Sequence, residues 1–113
     1  MLLFAVQLTA ANRKFTLVID AGHGGTDHGA PGAYSKEKDL TLKYALAFGK
    51  YVEDNCPDVR VIYTRKTDVF VTLAGRADIA NKANADLFLS FHINAVTGSR
   101  AARGFQSWTL GRG

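Results

Sequence analysis

Apolar and polar positions along the chain fall into short β-branched runs separated by longer stretches with helical spacing. Residues 15–20, FTLVID, form a β-branched and aromatic run that stops at glycine, the pattern of a buried strand. From Glu37 onward, Leu40, Tyr44, Ala47, Phe48, Tyr51 and Val52 recur at three- and four-residue steps, which predicts an amphipathic helix to about residue 54 with Ser35 as its N-cap. Asn55 and Pro57 end it. VRVIYTR, residues 59–65, reads as a second strand, and Leu73, Ala77 and Ala80 predict a weaker helix over about 71–84, with Gly75 lowering its propensity. DLFLSFHI, residues 86–93, is a third strand whose alternation sets Phe88, Ser90 and His92 on one face and Leu87, Leu89 and Phe91 on the other. GFQSWTL, residues 104–110, predicts a fourth.

Strand, helix, strand, helix, strand is the order of an α/β fold, here a three-layer α/β/α arrangement with a mostly parallel central sheet and right-handed crossovers. Ligands of such sheets sit beyond the carboxyl ends of the strands. His23 follows the first strand by three residues and His92 closes the third, so both are expected at one edge of the sheet. Glu37 lies one turn before Leu40 and Thr41, which points its carboxylate toward the buried side of the helix, at the rim of the core.

Composition narrows the class. With 113 residues, 47% of them hydrophobic and 21% charged, the chain matches one soluble globular domain with a single core and excludes a repeat array or a disordered segment. The net charge of +4 is concentrated late: no acidic residue follows Asp86, while Arg100, Arg103 and Arg112 add +3 and leave +1 for residues 1–86. This basic end suits either an anionic polymer or a solvated chain terminus, and no motif points to nucleic acid. Cys56 stands alone, which excludes an intrachain disulfide and a cysteine-based zinc site. MLLFAVQLTAAN, residues 1–12, reads as the remnant of a secretory signal or as a plain apolar N-terminal segment, too short to span a bilayer, with the domain proper over 13–113.

Residues 19–30, IDAGHGGTDHGA, carry the candidate chemistry. A phosphate cradle fits poorly, because the loop lacks GxGxxG spacing and GK[ST], and Asp20 and Asp27 would repel an anion. A metal site fits better: His23, Glu37 and His92 supply two imidazoles and a carboxylate from three elements, the donor types zinc takes in hydrolytic sites that keep a fourth position for water. Glycines on both sides of His23 remove side-chain bulk from the approach. A lone histidine is more often a loop residue than a ligand, so the weight rests on all three converging.

The ordered segments FTLVIDAGHGGTDHGA, KEKDLTL, YTRKTDVFVTLAGRADIANKANADLFLSFHINA and ARGFQSW resemble the zinc-dependent N-acetylmuramoyl-L-alanine amidases that cut bacterial peptidoglycan. The resemblance runs from about residue 15 to the end. It implies Zn²⁺ held by His23, Glu37 and His92, peptidoglycan as the partner, and hydrolysis of the amide joining the lactyl group of N-acetylmuramic acid to L-alanine. It also implies action in the periplasm or cell envelope, with room for an activator protein that no motif identifies. Asp20, His28, Ser90 and Asn94 are candidates for the substrate side or for supporting the ligands. Asp20 and Asp27 suit either orienting a ligand histidine or satisfying turn amides, and His28 stands where the family often carries proline. Ser90 has no His–acid arrangement that would make it a nucleophile. Asn94 and Arg76 match family motifs as hydrogen-bonding residues, and Arg65 and Asp68 suit tying a loop.

One departure stands beside the match. The family uses a further glutamate, well downstream of the second histidine, as general base. This chain has only Glu37 and Glu53, and Glu53 lies about 16 residues, or about 24 Å at helical rise, from Glu37. The general base is therefore expected beyond Gly113, and the chain reads as the N-terminal part of a longer catalytic domain. On that reading Phe105, Trp108 and the helix stripes lack their usual cover, and the isolated chain is expected to be marginally stable. The competing reading is a zinc- and muropeptide-binding module without turnover.

Overall fold

A computed structural model describes residues 13–95 and 104–109. Its elements are β1 (Phe15–Ala21), α1 (Glu37–Asn55), β2 (Val59–Tyr63), α2 (Leu73–Lys82) and β3 (Leu87–Phe91). The strands form one sheet in the order β2-β1-β3, with both pairings parallel. The apolar segment 1–12 lies outside the described residues. Among the described residues, no helix is long and apolar enough to cross a membrane.

The two faces of β1 separate two kinds of interior. Leu17, Ile19 and Ala21 point to one side and cluster with Ala45 and Val52 of α1, with Val61, Tyr63, Leu89 and Phe91 packed around them. The other side carries Asp20, which pairs in register with Ser90 and faces α2. The predicted alternation of β3 appears as Leu89 and Phe91 on the α1 side, and Phe88, Ser90 and His92 along a cleft beside α2. A helix on each side of the sheet gives the α/β layering.

The face that α1 turns to the sheet differs from the expected one. The buried positions are Lys38, Thr41, Ala45, Gly49 and Val52, whereas Tyr44 and Tyr51 are 52% and 66% exposed and Phe48 lies at the margin, its ring 5.6 Å from that of Phe91. Small residues win because they let the helix backbone approach the sheet: a Cβ on Gly49 would run into the Tyr63 ring. Ser35 is not the N-cap. Lys36 occupies that position with no side-chain cap bond, and loop carbonyls serve the first amides instead, Ala30 for Glu37 and His28 for Lys38. Helix α2 is capped by Thr72, whose Oγ1 accepts from the Gly75 amide.

The expected fourth strand is absent from the described part of its range. Residues 104–109 form no ladder, and Phe105 and Trp108 are 93% and 84% exposed. Strand-like composition needs a partner for its amides, and among the described residues β3 pairs only with β1.

Between the sheet and α2 lies a buried polar knot. Asp20 Oδ1 accepts from Thr64 Oγ1 and from Arg76 Nη1, both at 2.6 Å, and Oδ2 accepts from Ser90 Oγ at 2.6 Å. Burial raises the Asp20 carboxyl pKa, but the bonds from Ser90, Thr64 and Arg76 outweigh it and leave the value below the ordinary aspartate range. A lowered folded value means stability that is present above about pH 4, the unfolded value, and lost as pH falls through the folded one. Asp20→Asn should therefore destabilise the metal-free protein at pH 7 by about 3–5 kcal/mol, since it leaves Arg76 without its counter-ion. The loss of stability between pH 5 and pH 3 should become shallower; urea midpoints at each pH check this, and an unchanged slope counts against it.

Gly49→Ala sets two effects against each other. Helix propensity favours alanine by about 1 kcal/mol, while overpacking against Tyr63 costs about 1–3 kcal/mol. The expected outcome is a lower denaturation midpoint, and a raised one would contradict the packing described here.

Candidate metal centre

Three elements deliver side chains to the carboxyl edge of the sheet. The first loop carries His23 two residues past β1, β3 ends immediately before His92, and α1 starts at Glu37. His23 Nε2 lies 3.1 Å from Glu37 Oε2, and His92 Nδ1 lies 3.3 Å from Glu37 Oε1. The two imidazoles stand edge to face with centroids 5.0 Å apart. One donor atom from each of the three residues falls within 4.8 Å of the others.

Two glycines make the approach possible. A Cβ on Gly22 would collide with the His92 ring, and one on Gly29, at φ +65°, would meet Glu37 Oε2 and His23 Cδ2 at 2.7 Å. His23 itself sits at φ 62°, a left-handed conformation uncommon for a residue with a Cβ and worth about 1–3 kcal/mol of strain. A tight bridge between Gly24 and Asp27 folds the loop back, and Asp27 Oδ2 comes within 2.9 Å of His23 Nδ1. With the Nδ1 proton donated to Asp27, the lone pair resides on Nε2, which faces Glu37.

Glu37 is 5% exposed and ionised. Burial pushes its carboxyl up, yet the amides of Ala30 and Ile93, each 2.8 Å from one oxygen, together with His23 and His92, hold it below the ordinary glutamate value. Asp27 is also lowered, first by the His23 ring and then by the Gly29 amide. A buried carboxylate beside two imidazoles is the donor chemistry zinc takes. The two histidines approach different oxygens of Glu37, at 3.1 and 3.3 Å, and one donor atom from each of the three residues lies within 4.8 Å of the others, close enough to share one ion. The residues thus fit a zinc ion.

The remaining candidates divide. Asp20 does not touch the His23 ring; it pairs with Arg76, whose Nη2 donates to the His23 carbonyl at 2.8 Å. Ser90 donates to Asp20, and His92 lies beyond it on the same strand face. His28 is exposed and contributes its carbonyl to the Lys38 amide. Asn94 is exposed, and among the described residues its side chain makes no hydrogen bond. Asp68 accepts from the Gly25 amide and from Lys38 Nζ, and Arg65 donates to the carbonyls of Ala21, Gly22, Lys38 and Thr67, so both tie the first loop to the rest. Sequence reasoning undervalued Lys38, which is buried and bridges Asp68 to the Gly25 carbonyl. Its place beside Glu37 in KEKD was the available signal.

A cleft of about 340 Å³ opens on this edge, walled by His23, His92 and Asp27 on one side and by Phe70, Val71 and Leu73 on the other. Residues 17–112 match the family profile described as N-acetylmuramoyl-L-alanine amidase. The chain belongs to the N-acetylmuramoyl-L-alanine amidase family. It is 40% identical over 92 residues to the sporulation-specific N-acetylmuramoyl-L-alanine amidase of Bacillus subtilis, covering 81% of this chain and 34% of that protein. Among solved structures, the N-acetylmuramoyl-L-alanine amidase of Clostridium difficile 630 superposes with a TM-score of 0.76 at 34% identity, over 81% of this chain and 50% of that one. The CwlD amidase of Clostridioides difficile, solved in complex with the GerS lipoprotein, gives a TM-score of 0.70 at 31% identity, over 76% and 51% of the two chains. The chain thus spans about a third of the length of that curated amidase and about half that of these solved ones.

Gly29→Ala tests the cradle. The added methyl should displace Glu37 or His23 and weaken zinc binding at least about tenfold, measured by competition with a chromophoric chelator. Wild-type affinity in this variant would show that the close approach does not matter.

Proposed function

We propose that this amidase-family chain carries the zinc site of a peptidoglycan amidase, a hydrolase acting on the amide between N-acetylmuramic acid and the L-alanine of the stem peptide. The observation that carries the reading is the convergence of His23, Glu37 and His92 at one sheet edge, on an open cleft, in a chain of this family. Zinc, when bound, supplies a Lewis acid that activates water near neutral pH and polarises the scissile carbonyl. The chain's own groups prepare the site. Asp27 holds the proton of His23 at Nδ1 and keeps Nε2 free. The Ala30 and Ile93 amides keep Glu37 anionic and oriented. Phe70, Val71 and Leu73 give one side of the cleft an apolar lining.

The general base is a separate matter. Glu53, the second glutamate of the sequence, accepts from Tyr63 Oη at 3.0 Å, and burial followed by that bond pushes the Tyr63 hydroxyl up to about 12. Glu53 is thereby committed to the β2 side of α1, away from His23 and His92. This favours a second reading for the chain, a module that binds zinc and muropeptide without turnover, since Glu37 is a metal-ligand candidate and Glu53, the other glutamate of the sequence, is engaged elsewhere. A peptidoglycan substrate implies action in the cell envelope or periplasm. A solved relative is bound to a lipoprotein, which supports a protein activator as a further partner class.

Two measurements test this. Metal analysis should give one zinc per chain, lost in His23→Ala and in His92→Ala; substoichiometric zinc insensitive to both changes overturns the metal reading. Zinc-loaded protein incubated with purified peptidoglycan should release stem peptide if the site turns over. Zinc-dependent binding without release supports the second reading, and neither binding nor release contradicts both.

A further inference from the structure

His23 is the residue in the first loop that needs explanation. Histidine carries a Cβ and gains nothing intrinsically from φ 62°, yet this conformation is what turns its ring toward Glu37. Arg76, 53 residues later on α2, lies directly behind it. Arg76 is 5% exposed, and four of its five N–H donors are engaged: Nε with the Val71 carbonyl at 3.0 Å, Nη1 with Asp20 Oδ1 at 2.6 Å and the Ala21 carbonyl at 2.7 Å, and Nη2 with the His23 carbonyl at 2.8 Å. A planar fork pinned by a buried carboxylate has one orientation, and that orientation offers a fixed donor to the His23 carbonyl. Pulling this carbonyl inward toward α2 leaves the imidazole on the outward side, facing Glu37 and His92.

We infer that Arg76 is a positioning residue for the metal centre: anchored by Asp20, it holds the His23 backbone left-handed and so aims Nε2 before any metal arrives. This rests on the proposed zinc site, although the conformational half of the inference is independent of zinc. The role requires the guanidinium geometry and not only its charge. Lysine at this position keeps the pair with Asp20 but cannot reach Asp20, Ala21 and His23 together.

The test compares wild type, Arg76→Lys and Thr64→Val, each with and without zinc. Thr64→Val removes a 2.6 Å bond to the same Asp20 oxygen but none to the His23 carbonyl, so it reports general weakening of the polar knot. Two quantities are read: zinc affinity by chelator competition, and the His23 φ from backbone couplings and ¹³C shifts in the metal-free state. Expected are a left-handed His23 in the metal-free wild type, loss of that conformation in Arg76→Lys, and zinc binding about 10- to 100-fold weaker in that variant. Thr64→Val should melt at lower temperature while staying within about twofold of wild-type affinity. The inference is overturned if Arg76→Lys keeps both the left-handed His23 and wild-type affinity, or if Thr64→Val loses affinity as much as Arg76→Lys. If Arg76→Lys does not fold, the metal-free wild type decides: a His23 that becomes left-handed only on adding zinc overturns the inference. Should wild type bind no zinc, the zinc reading fails alone, and the metal-free couplings still decide the role of Arg76.

Discussion

Asp20 is a carboxylate taken out of water at the end of the central strand, and burying such a charge is unfavourable unless its lone pairs are met by good donors. They are met by three side chains from three different segments: Thr64 after β2, Ser90 of β3 and Arg76 of α2. Because each bond requires the parallel register that sets Asp20 beside Ser90, and Ile19 beside Tyr63, the polar knot and the sheet specify one another. A one-residue slip of β3 would turn Ser90 into the apolar side and leave Asp20 short of a donor. The carboxyl edge of the sheet is thereby fixed, and His23, Glu37 and His92, the candidate metal ligands, converge on that edge.

The same economy of buried charge governs Glu37. Its carboxylate is desolvated at the first turn of α1, and two backbone amides from opposite sides, Ala30 of the first loop and Ile93 after β3, tip the balance toward the anion. Those amides are also structural ties, since they bind α1 to the two segments that carry His23 and His92. Glycines at 22 and 29 remove the bulk that would keep the three donors apart. The centre is built from backbone as much as from side chains, which explains how a chain with few histidines can form it.

Much of this was legible in the sequence, and the exceptions have physical reasons. The period-two alternation of β3 announced which of its residues face the core, because a one-sided apolar strand leaves little choice. The order of elements announced a parallel sheet and hence a common edge for His23 and His92. The face of α1 was hidden, because apolarity marked Leu40, Tyr44, Phe48 and Tyr51, whereas close packing selected Thr41, Ala45 and Gly49. Ser35 looked like a cap because its side chain suits one, but carbonyls of the first loop reached the helix amides first. The partner of Asp20 was illegible for a different reason: Arg76 is 56 residues away, and no local pattern joins them. GFQSWTL shows the converse, strand composition over 104–109 with no strand paired to it among the described residues.

His23, Glu37 and His92 are expected to bind a single metal ion together. X-ray absorption on the zinc-loaded protein tests this most directly. The prediction is a four-coordinate shell of nitrogen and oxygen at about 2.0–2.2 Å with the outer-shell scattering of two imidazoles, reduced to one imidazole in His92→Ala. A sulfur at about 2.3 Å, implicating Cys56, or a shell of light atoms with no imidazole scattering, would contradict it.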